Sequence, residues 1–189
     1  MRKLTRAEFS ILRNWLREDL DRSRQRLLVH TVGSSWAVPR VLRHAAYRAA
    51  GMRTETANVF PGLTVMGPAA NVRIGPRTML NAQCYMDAAA EVDLGADCLV
   101  GPRVMFLTSD HPRGTAGRPD PTPVGRPITV GDGVWIGAGV VLCPGVTVGD
   151  GAVLAAGAVV TRDCKSRAVY AGVPARLVKE LDVVEEESA

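Results

Sequence analysis

A six-residue repeat in the second half of the chain constrains the fold more than any other feature. Aliphatic residues recur at every sixth position without a break, at Val124, Val130, Ile136, Leu142, Val148, Leu154 and Val160. When each aliphatic residue is counted as the first place of a hexad, glycine occupies the fourth place in every hexad from Gly133 to Gly157. Such a period is typical of short strands joined by tight corners, with equivalent positions stacked in columns. The repeat therefore predicts a β-solenoid.

The same phase extends back towards Leu63, with one slip of two residues between Met86 and Leu94. Only 5% of the residues are aromatic and 19 are glycine, which agrees with a core built from small side chains. The fifth place of each hexad is expected to hold a small residue that faces the interior. Three cysteines occupy this place, namely Cys84, Cys98 and Cys164. Without any C-x-x-C pair, the four cysteines are predicted to be reduced thiols and not zinc ligands.

One segment, residues 112–123, interrupts the repeat with several prolines and glycines. Regular coils cannot absorb such a segment, so it is predicted to leave the solenoid as a loop. His111 stands at the base of this loop. It is the one histidine within the repeat, because His30 and His44 precede it.

Residues 1–62 are predicted to be a helical, arginine-rich segment, residues 63–181 the repeat domain, and residues 182–189 an acidic tail. A capping box at Thr5 and Glu8 predicts a first helix that runs into the twenties, and a second helix is expected from near Ser35 to Gly51. A short C-terminal helix is expected over residues 177–184.

Charge is divided unevenly along the chain. Residues 1–53 hold 12 Lys and Arg against 4 Asp and Glu, whereas the remainder holds 11 against 15. A basic arm can serve nucleic acid, a membrane surface or an anionic cofactor, or can simply be solvated. No nucleic-acid reader motif accompanies it, so no nucleic-acid partner is predicted. No apolar run is long enough for a membrane span and no signal peptide is recognisable, so a cytoplasmic location is expected.

Three segments carry a family resemblance: Thr108-Ser109-Asp110-His111-Pro112, Val134-Trp135-Ile136-Gly137-Ala138-Gly139 and Ala171-Gly172-Val173-Pro174-Ala175. Together with the hexads, they resemble the hexapeptide-repeat acetyltransferases, above all the galactoside, maltose and colanic-acid O-acetyltransferases. The resemblance covers residues 63–181. It implies a mainly β fold: a left-handed parallel β-helix of triangular cross-section, with N-terminal helices and a short C-terminal helix.

The resemblance also implies a homotrimer that binds acetyl-CoA in clefts between subunits and transfers the acetyl group to a hydroxyl of a sugar or other small molecule. His111 would be the general base, since a hydroxyl attacks a thioester slowly unless its proton is removed. The acceptor and the length of the acyl chain stay open. No metal is expected.

Further roles follow residue by residue from the same resemblance. The backbone N–H of Ala138 would stabilise the oxyanion, and Trp135 would line the cleft, unless it serves a subunit interface. The proposed coenzyme A contacts are Ala138, Ala156, Thr161, Arg162, Arg176 and Lys179. Asn81 and Asp87 would hold the acceptor, although Asp87 follows closely on Met86, where the slip begins, and is equally compatible with capping a turn. Asp110 would orient His111 if the two side chains share a face.

Other functions are compatible with the same scaffold. Serine acetyltransferases and the xenobiotic acetyltransferases that modify chloramphenicol or streptogramins share the histidine and differ in acceptor. A γ-class carbonic anhydrase uses this β-helix but needs three histidines on zinc, and the repeat has one. A non-catalytic solenoid is the remaining alternative, since fold does not fix function.

Overall fold

The computed structural model describes residues 6–113, 118 and 120–182, which form a parallel β-helix with helices packed on its first coil. The predicted solenoid is confirmed. Thr5 of the capping box, loop residues 114–117 and 119, and residues 183–189 of the acidic tail lie outside the described residues.

Three sheets run along the β-helix. Sheet A contains β1 (Arg53–Thr54), β3 (Val72–Ile74), β6 (Val92–Leu94), β11 (Ile128–Val130) and β14 (Thr147–Val148). Sheet B contains β4 (Met79–Leu80), β7 (Leu99–Val100), β12 (Trp135–Ile136), β15 (Val153–Leu154), β17 (Ala168–Ala171) and β18 (Arg176–Glu180). Sheet C contains β2 (Thr64–Met66), β5 (Tyr85–Asp87), β8 (Met105–Leu107), β13 (Val141–Leu142) and β16 (Val159–Val160).

The chain visits sheets A, B and C in turn, so each coil has three corners. The B–C corner follows each strand of sheet B, and the C–A corner follows each strand of sheet C. Neighbouring strands are parallel throughout, apart from the antiparallel pair of β17 and β18. Beyond the three sheets, β9 (Ser109–Asp110) and β10 (Val124–Gly125) form a small antiparallel pair.

The aliphatic positions of the hexads from Val130 to Val160 fill the interior, whereas the expected burial of Val124 is wrong: it lies on β10, outside the three sheets, and is 44% exposed. Ile136, Leu142 and Leu154 are almost completely buried. At the corners the coils approach so closely that a Cβ on Gly137 would lie 2.5 Å from the backbone nitrogen of Ala156. Glycine is therefore needed at this place because neighbouring coils contact each other through backbone atoms.

The cysteines behave as the hexad phase predicts. Cys84, Cys98 and Cys164 are buried among the stacked coils. Burial raises the pKa of the Cys84 and Cys164 thiols to about 11, because an apolar interior disfavours the thiolate. Both are thus protonated core residues at neutral pH.

The N-terminal segment caps the first coil. It consists of α1 (Arg6–Arg26), a π-helical segment (Leu27–Gly33) and α2 (Arg40–Ala49). The second helix begins at Arg40, later than the predicted start near Ser35, because Pro39 adopts extended geometry and restricts the residue before it. Val29 and Tyr47 are buried here. None of the described helices is both long enough and apolar enough to cross a bilayer.

The expected C-terminal helix is wrong for the described part of residues 177–184. Instead, β18 pairs antiparallel with β17, for example Val169 with Lys179. Two physical reasons favour the strand: β17 offers an open edge of backbone donors and acceptors, and a helix of eight residues is marginal without tertiary packing.

The outer faces of the sheets differ. Sheet A carries charged pairs, such as Arg73 with Asp93 at 2.7 Å, and Arg53 with Glu91. Outward residues of sheets B and C are mostly apolar, namely Met79, Leu99, Trp135, Val153 and Val169 on sheet B and Tyr85, Met105, Val141 and Val159 on sheet C.

Candidate active site

The loop that carries His111 leaves the β-helix at a C–A corner. Its base is fixed by Thr108, which is fully buried and whose hydroxyl donates to the backbone carbonyl of Asp87. The same hydroxyl oxygen accepts the N–H of Ala90 at 3.0 Å. Directly afterwards β9 pairs with β10, Asp110 lying opposite Val124. The two ends of the loop are thus held together.

The imidazole of His111 is exposed and has one described hydrogen-bond partner. Its Nδ1 lies 3.0 Å from the backbone carbonyl oxygen of Asp120. A carbonyl only accepts, so this bond requires Nδ1 to carry the hydrogen and leaves the lone pair of the neutral ring on Nε2. The N–H of Asp120 in turn donates to the carbonyl of Pro112 at 2.9 Å. This geometry presents Nε2 as a base.

Asp110 does not orient His111. Its Oδ2 lies 3.4 Å from Nη2 of Arg126, in an ion pair across the base of the loop. The group that orients the His111 ring is the backbone carbonyl of Asp120. Residue types cannot reveal such a partner, because every residue has a backbone carbonyl.

Asp87 lies at the same corner, one coil below the loop. In the strand register it pairs with Leu107 on one side and Met66 on the other, which resolves the uncertainty caused by the two-residue slip. Its half-buried carboxylate accepts the N–H of Ser109 at 2.9 Å. Asp87 therefore holds the start of β9, two residues before His111.

The B–C corner holds Asn81, Ala138 and Ala156. Coils stack here through backbone contacts: Gly139 donates to the carbonyl of Pro102 and Gly157 to that of Ala138, each at 2.9 Å. Within the part of the chain that the structure describes, the N–H of Ala138 has no acceptor. A backbone donor without a partner on an exposed corner residue is suited to a developing oxyanion.

Trp135 stands on the outer face of sheet B, close to this corner. Its side chain is 58% exposed and lies between Leu99, which is 50% exposed, and Val153. A large exposed ring between aliphatic neighbours is suited to a partner surface or an apolar part of a ligand.

The predicted coenzyme A residues are all exposed but do not form one cluster. Thr161 and Arg162 follow β16 at the C–A corner, whereas Arg176 and Lys179 lie on β18 at the end of sheet B. Arg176 donates to the carbonyl of Ala175 at 2.9 Å.

His111 and Ala138 are thus on different corners of one chain. The width of sheet C separates them, roughly 20 Å if the six residues of a hexad are extended. Hydroxyl activation and oxyanion stabilisation act on atoms about 3 Å apart, so one chain alone does not bring these two groups together.

A cleft of about 670 Å³ lies between α1 and the first coil. Its walls combine charged residues of α1 with the side chains of Val65, Met66 and Ala69. Met66 is the register partner of Asp87, so the cleft begins one strand away from that carboxylate. Among the described residues, no three His, Cys, Asp or Glu side chains are grouped as metal ligands.

Comparison with known proteins places these features in context. Residues 127–162 match the family described as bacterial transferase hexapeptide (six repeats). Nodulation protein L of Rhizobium meliloti (strain 1021) is 38% identical over 131 residues, which cover 67% of this chain and 72% of that protein. Galactoside O-acetyltransferase of Escherichia coli (strain K12) is 36% identical over 112 residues, covering 59% of this chain and 55% of that protein.

A solved structure extends the similarity to the helices. A hexapeptide-repeat acetyltransferase of Vibrio cholerae O1 biovar eltor, in complex with acetyl coenzyme A, superposes with a TM-score of 0.75 at 28% identity. The superposition covers 87% of this chain and 88% of that one.

Proposed function

Because this chain belongs to the hexapeptide-repeat acetyltransferases, we propose that it transfers an acetyl group from acetyl-CoA to a hydroxyl of a sugar-containing acceptor, with His111 as general base. The observation that carries the proposal is the bond from His111 Nδ1 to the Asp120 carbonyl, which leaves Nε2 free to take a proton. The galactoside acetyltransferase and the acetyl-CoA complex among the similar proteins support the choice of acceptor and donor.

In the proposed reaction, Nε2 of His111 removes the hydroxyl proton while the oxygen attacks the thioester carbon. The tetrahedral oxyanion accepts a hydrogen bond from the Ala138 N–H. The intermediate then collapses, the carbon–sulfur bond breaks, and His111 returns the proton to the departing thiolate. Acetyl ester and free coenzyme A are the products, so the proton is conserved.

The site is completed by a second copy of the chain. His111 and Ala138 lie on different corners, and the apolar outer faces of sheets B and C offer the contact surface that would bring the corners of two copies together. We therefore propose a homotrimer with three shared sites. Thr161 and Arg162 at one corner and Ala156, Arg176 and Lys179 near the other would then approach one coenzyme A from both sides.

Asn81, Asp87 and Trp135 are proposed to contact the acceptor side. The cleft beside Met66 gives room for the part of the acceptor that does not react. A cytoplasmic location is part of this proposal, since the described cysteines are all free.

Substitution His111→Ala tests the proposed base. Once a screen of sugar and small-molecule hydroxyls with acetyl-CoA has identified an acceptor, we expect kcat to fall by roughly 10²- to 10⁴-fold. The measurements are release of free thiol, mass change of the acceptor, coenzyme A affinity and thermal melting. Because His111 is exposed, the variant should melt like the parent and still bind coenzyme A. An active, folded variant would remove His111 from the mechanism.

A further inference from the structure

The first helix contacts the β-helix near its C-terminal end, and its residues 12–24 are exposed. Its charged side is the one turned towards the β-helix, because Glu18, Asp21 and Arg22 line the open cleft beside the first coil. Gln25 fixes this orientation, because its side-chain amide donates to the carbonyl of Gly67 at 2.7 Å and accepts the N–H of Ala69 at 3.0 Å. Charged and polar groups thus occupy the side that is usually apolar.

The opposite side of α1 carries a leucine stripe, defined here as Leu12, Leu16 and Leu20. At about 100° per residue, these positions lie roughly 180° from the cleft-facing side of the helix. Their side chains are 44%, 59% and 60% exposed, and Trp15 on the flank is 60% exposed. Leucines that point away from their own domain form an exposed apolar surface, which is typical of a site that binds a membrane or another protein.

Further exposed apolar residues follow in the same N-terminal segment. Trp36, Val41 and Leu42 are all largely exposed, and Trp36 is the most exposed tryptophan of the described residues at 71%. Leucine and tryptophan together are the combination that favours the interfacial region of a bilayer.

Charge decides between the candidate partners. Residues 1–53 carry 12 basic and 4 acidic residues, and Arg13 and Arg17 flank the leucine stripe. Packing copies of this segment together would bring like charges together, and a nucleic acid would use the arginines but leave the leucines exposed. An anionic lipid surface satisfies both features, because phosphates pair with guanidinium groups while the leucines enter the interface.

We propose that the N-terminal segment docks the protein peripherally on an anionic phospholipid bilayer. The axis of α1 lies parallel to the membrane plane, with the leucine stripe inserted and with Trp15 and the flanking arginines at the headgroups. Asp19, which lies between Trp15 and Leu16 around the helix, stays at the aqueous edge, 4.0 Å from Arg22. The acidic remainder of the chain is repelled by the same surface, which keeps the β-helix on the aqueous side. This inference does not depend on the acetyltransferase reaction.

Vesicle flotation of the full-length protein tests the proposal. Vesicles of phosphatidylcholine with about one-third phosphatidylglycerol should carry the protein upward, whereas pure phosphatidylcholine should not, and high salt should weaken the binding. The double substitution Leu16→Gln and Leu20→Gln should lower partitioning by roughly tenfold or more, with unchanged melting and helix content by circular dichroism. Failure of the parent protein to bind anionic vesicles overturns the proposal.

Two matched variants separate local from overall charge. Arg13→Gln with Arg17→Gln removes two charges beside the stripe, and Arg103→Gln with Arg167→Gln removes two from exposed corners of the β-helix. We expect several-fold weaker vesicle binding for the first pair and little change for the second. Equal effects of the two pairs would overturn the placement of Arg13 and Arg17 at the headgroups, because vesicle binding would then depend only on net charge. If the leucine variant instead changes the oligomeric mass, or if DNA binds regardless of the leucines, a second copy or nucleic acid replaces the membrane.

Discussion

The C–A and B–C corners are built by the same repeat but carry different chemistry. At the C–A corner a loop leaves the coils and positions an imidazole through a carbonyl. The B–C corner keeps its regular turns, and the N–H groups of Ala138 and Ala156 there have no acceptor among the described residues. The first corner gains chemistry by interrupting the repeat, and the second by leaving a backbone donor unpaired. Neither is sufficient alone, so assembly of several copies becomes part of the proposed catalytic apparatus.

Among the substitutions that test whether the two corners form a shared site, Leu99→Arg should lower activity the most. Leu99 contributes to the apolar outer face of sheet B next to Trp135, and a charge there would prevent burial against a neighbouring copy. We expect monomers and a loss of activity of about 10³-fold or more, because each site loses a group supplied by the other chain. Light scattering and steady-state kinetics measure both effects.

The matched control is Thr129→Arg, on the charged outer face of sheet A beside Asp93. This variant should keep the mass and activity of the parent. A Leu99→Arg protein that stays active as a monomer would contradict the shared site.

Ala138→Pro should lower kcat by about 10²- to 10³-fold, since it removes the N–H that would face the oxyanion. Proline is compatible with this corner because Pro102 occupies the equivalent place one coil earlier, where its carbonyl accepts from Gly139. Thermal melting and coenzyme A affinity should change little. Ala138→Ser, which keeps the N–H, is the control, and equal losses in the two variants would indicate a side-chain effect.

Mixing the two inactive variants tests the geometry directly. After joint refolding of His111→Ala and Ala138→Pro chains in equal amounts, a site with an intact base from one chain and an intact donor from the other forms in about a quarter of cases if subunits combine at random. Activity should therefore return to about one quarter of the parental value. Absence of any recovery in properly assembled trimers would mean that each chain forms its own site.

Asp87→Asn should have the smallest effect. The amide oxygen can still accept the Ser109 N–H, so the loop should stay in place and kcat should change by about twofold at most. If the carboxylate also binds the acceptor, KM for the acceptor should rise roughly tenfold, the worth of one hydrogen bond to a charged group. An unchanged KM would limit Asp87 to anchoring the loop, and Asp87→Ala would then lower kcat instead.

The sequence predicts the fold correctly where a residue type is required by a particular position in the coil. The aliphatic hexad positions from Val130 to Val160 and the interior cysteines are buried, and the two ends of the segment after His111 pair outside the coils. Val124, assigned to the same hexad series, is exposed because it pairs with Asp110 outside the three sheets. The prediction failed at the chain end, where residues from Leu177 onward were expected to form a helix. There the open edge of β17 determines that these residues form a strand. The local sequence pattern contains no information about the edge of another strand.

The site could be predicted only in part for a similar reason. Residue types single out His111, whose catalytic role stays a prediction, but they do not reveal that its hydrogen-bond partner is a backbone carbonyl and that Asp110 is paired with Arg126. The anchoring role of Thr108 depends on the register of β5 and β8, which the two-residue slip obscured. The separation of His111 from Ala138 also follows from the order of the sheets, not from spacing along the chain.

The hydrogen bonds at the base of the His111 loop affect which sequence changes the loop can accept during evolution. Asp120 accepts from His111 and donates to Pro112, so the neck of the loop is tied off close to the coils. If His111 is the base, as proposed, insertions or exchanges beyond that neck should leave the imidazole and the stacked coils in place. Selection could then alter the part of the protein that meets the acceptor without rebuilding the proton-transfer group, and acceptor choice would become a separately heritable trait.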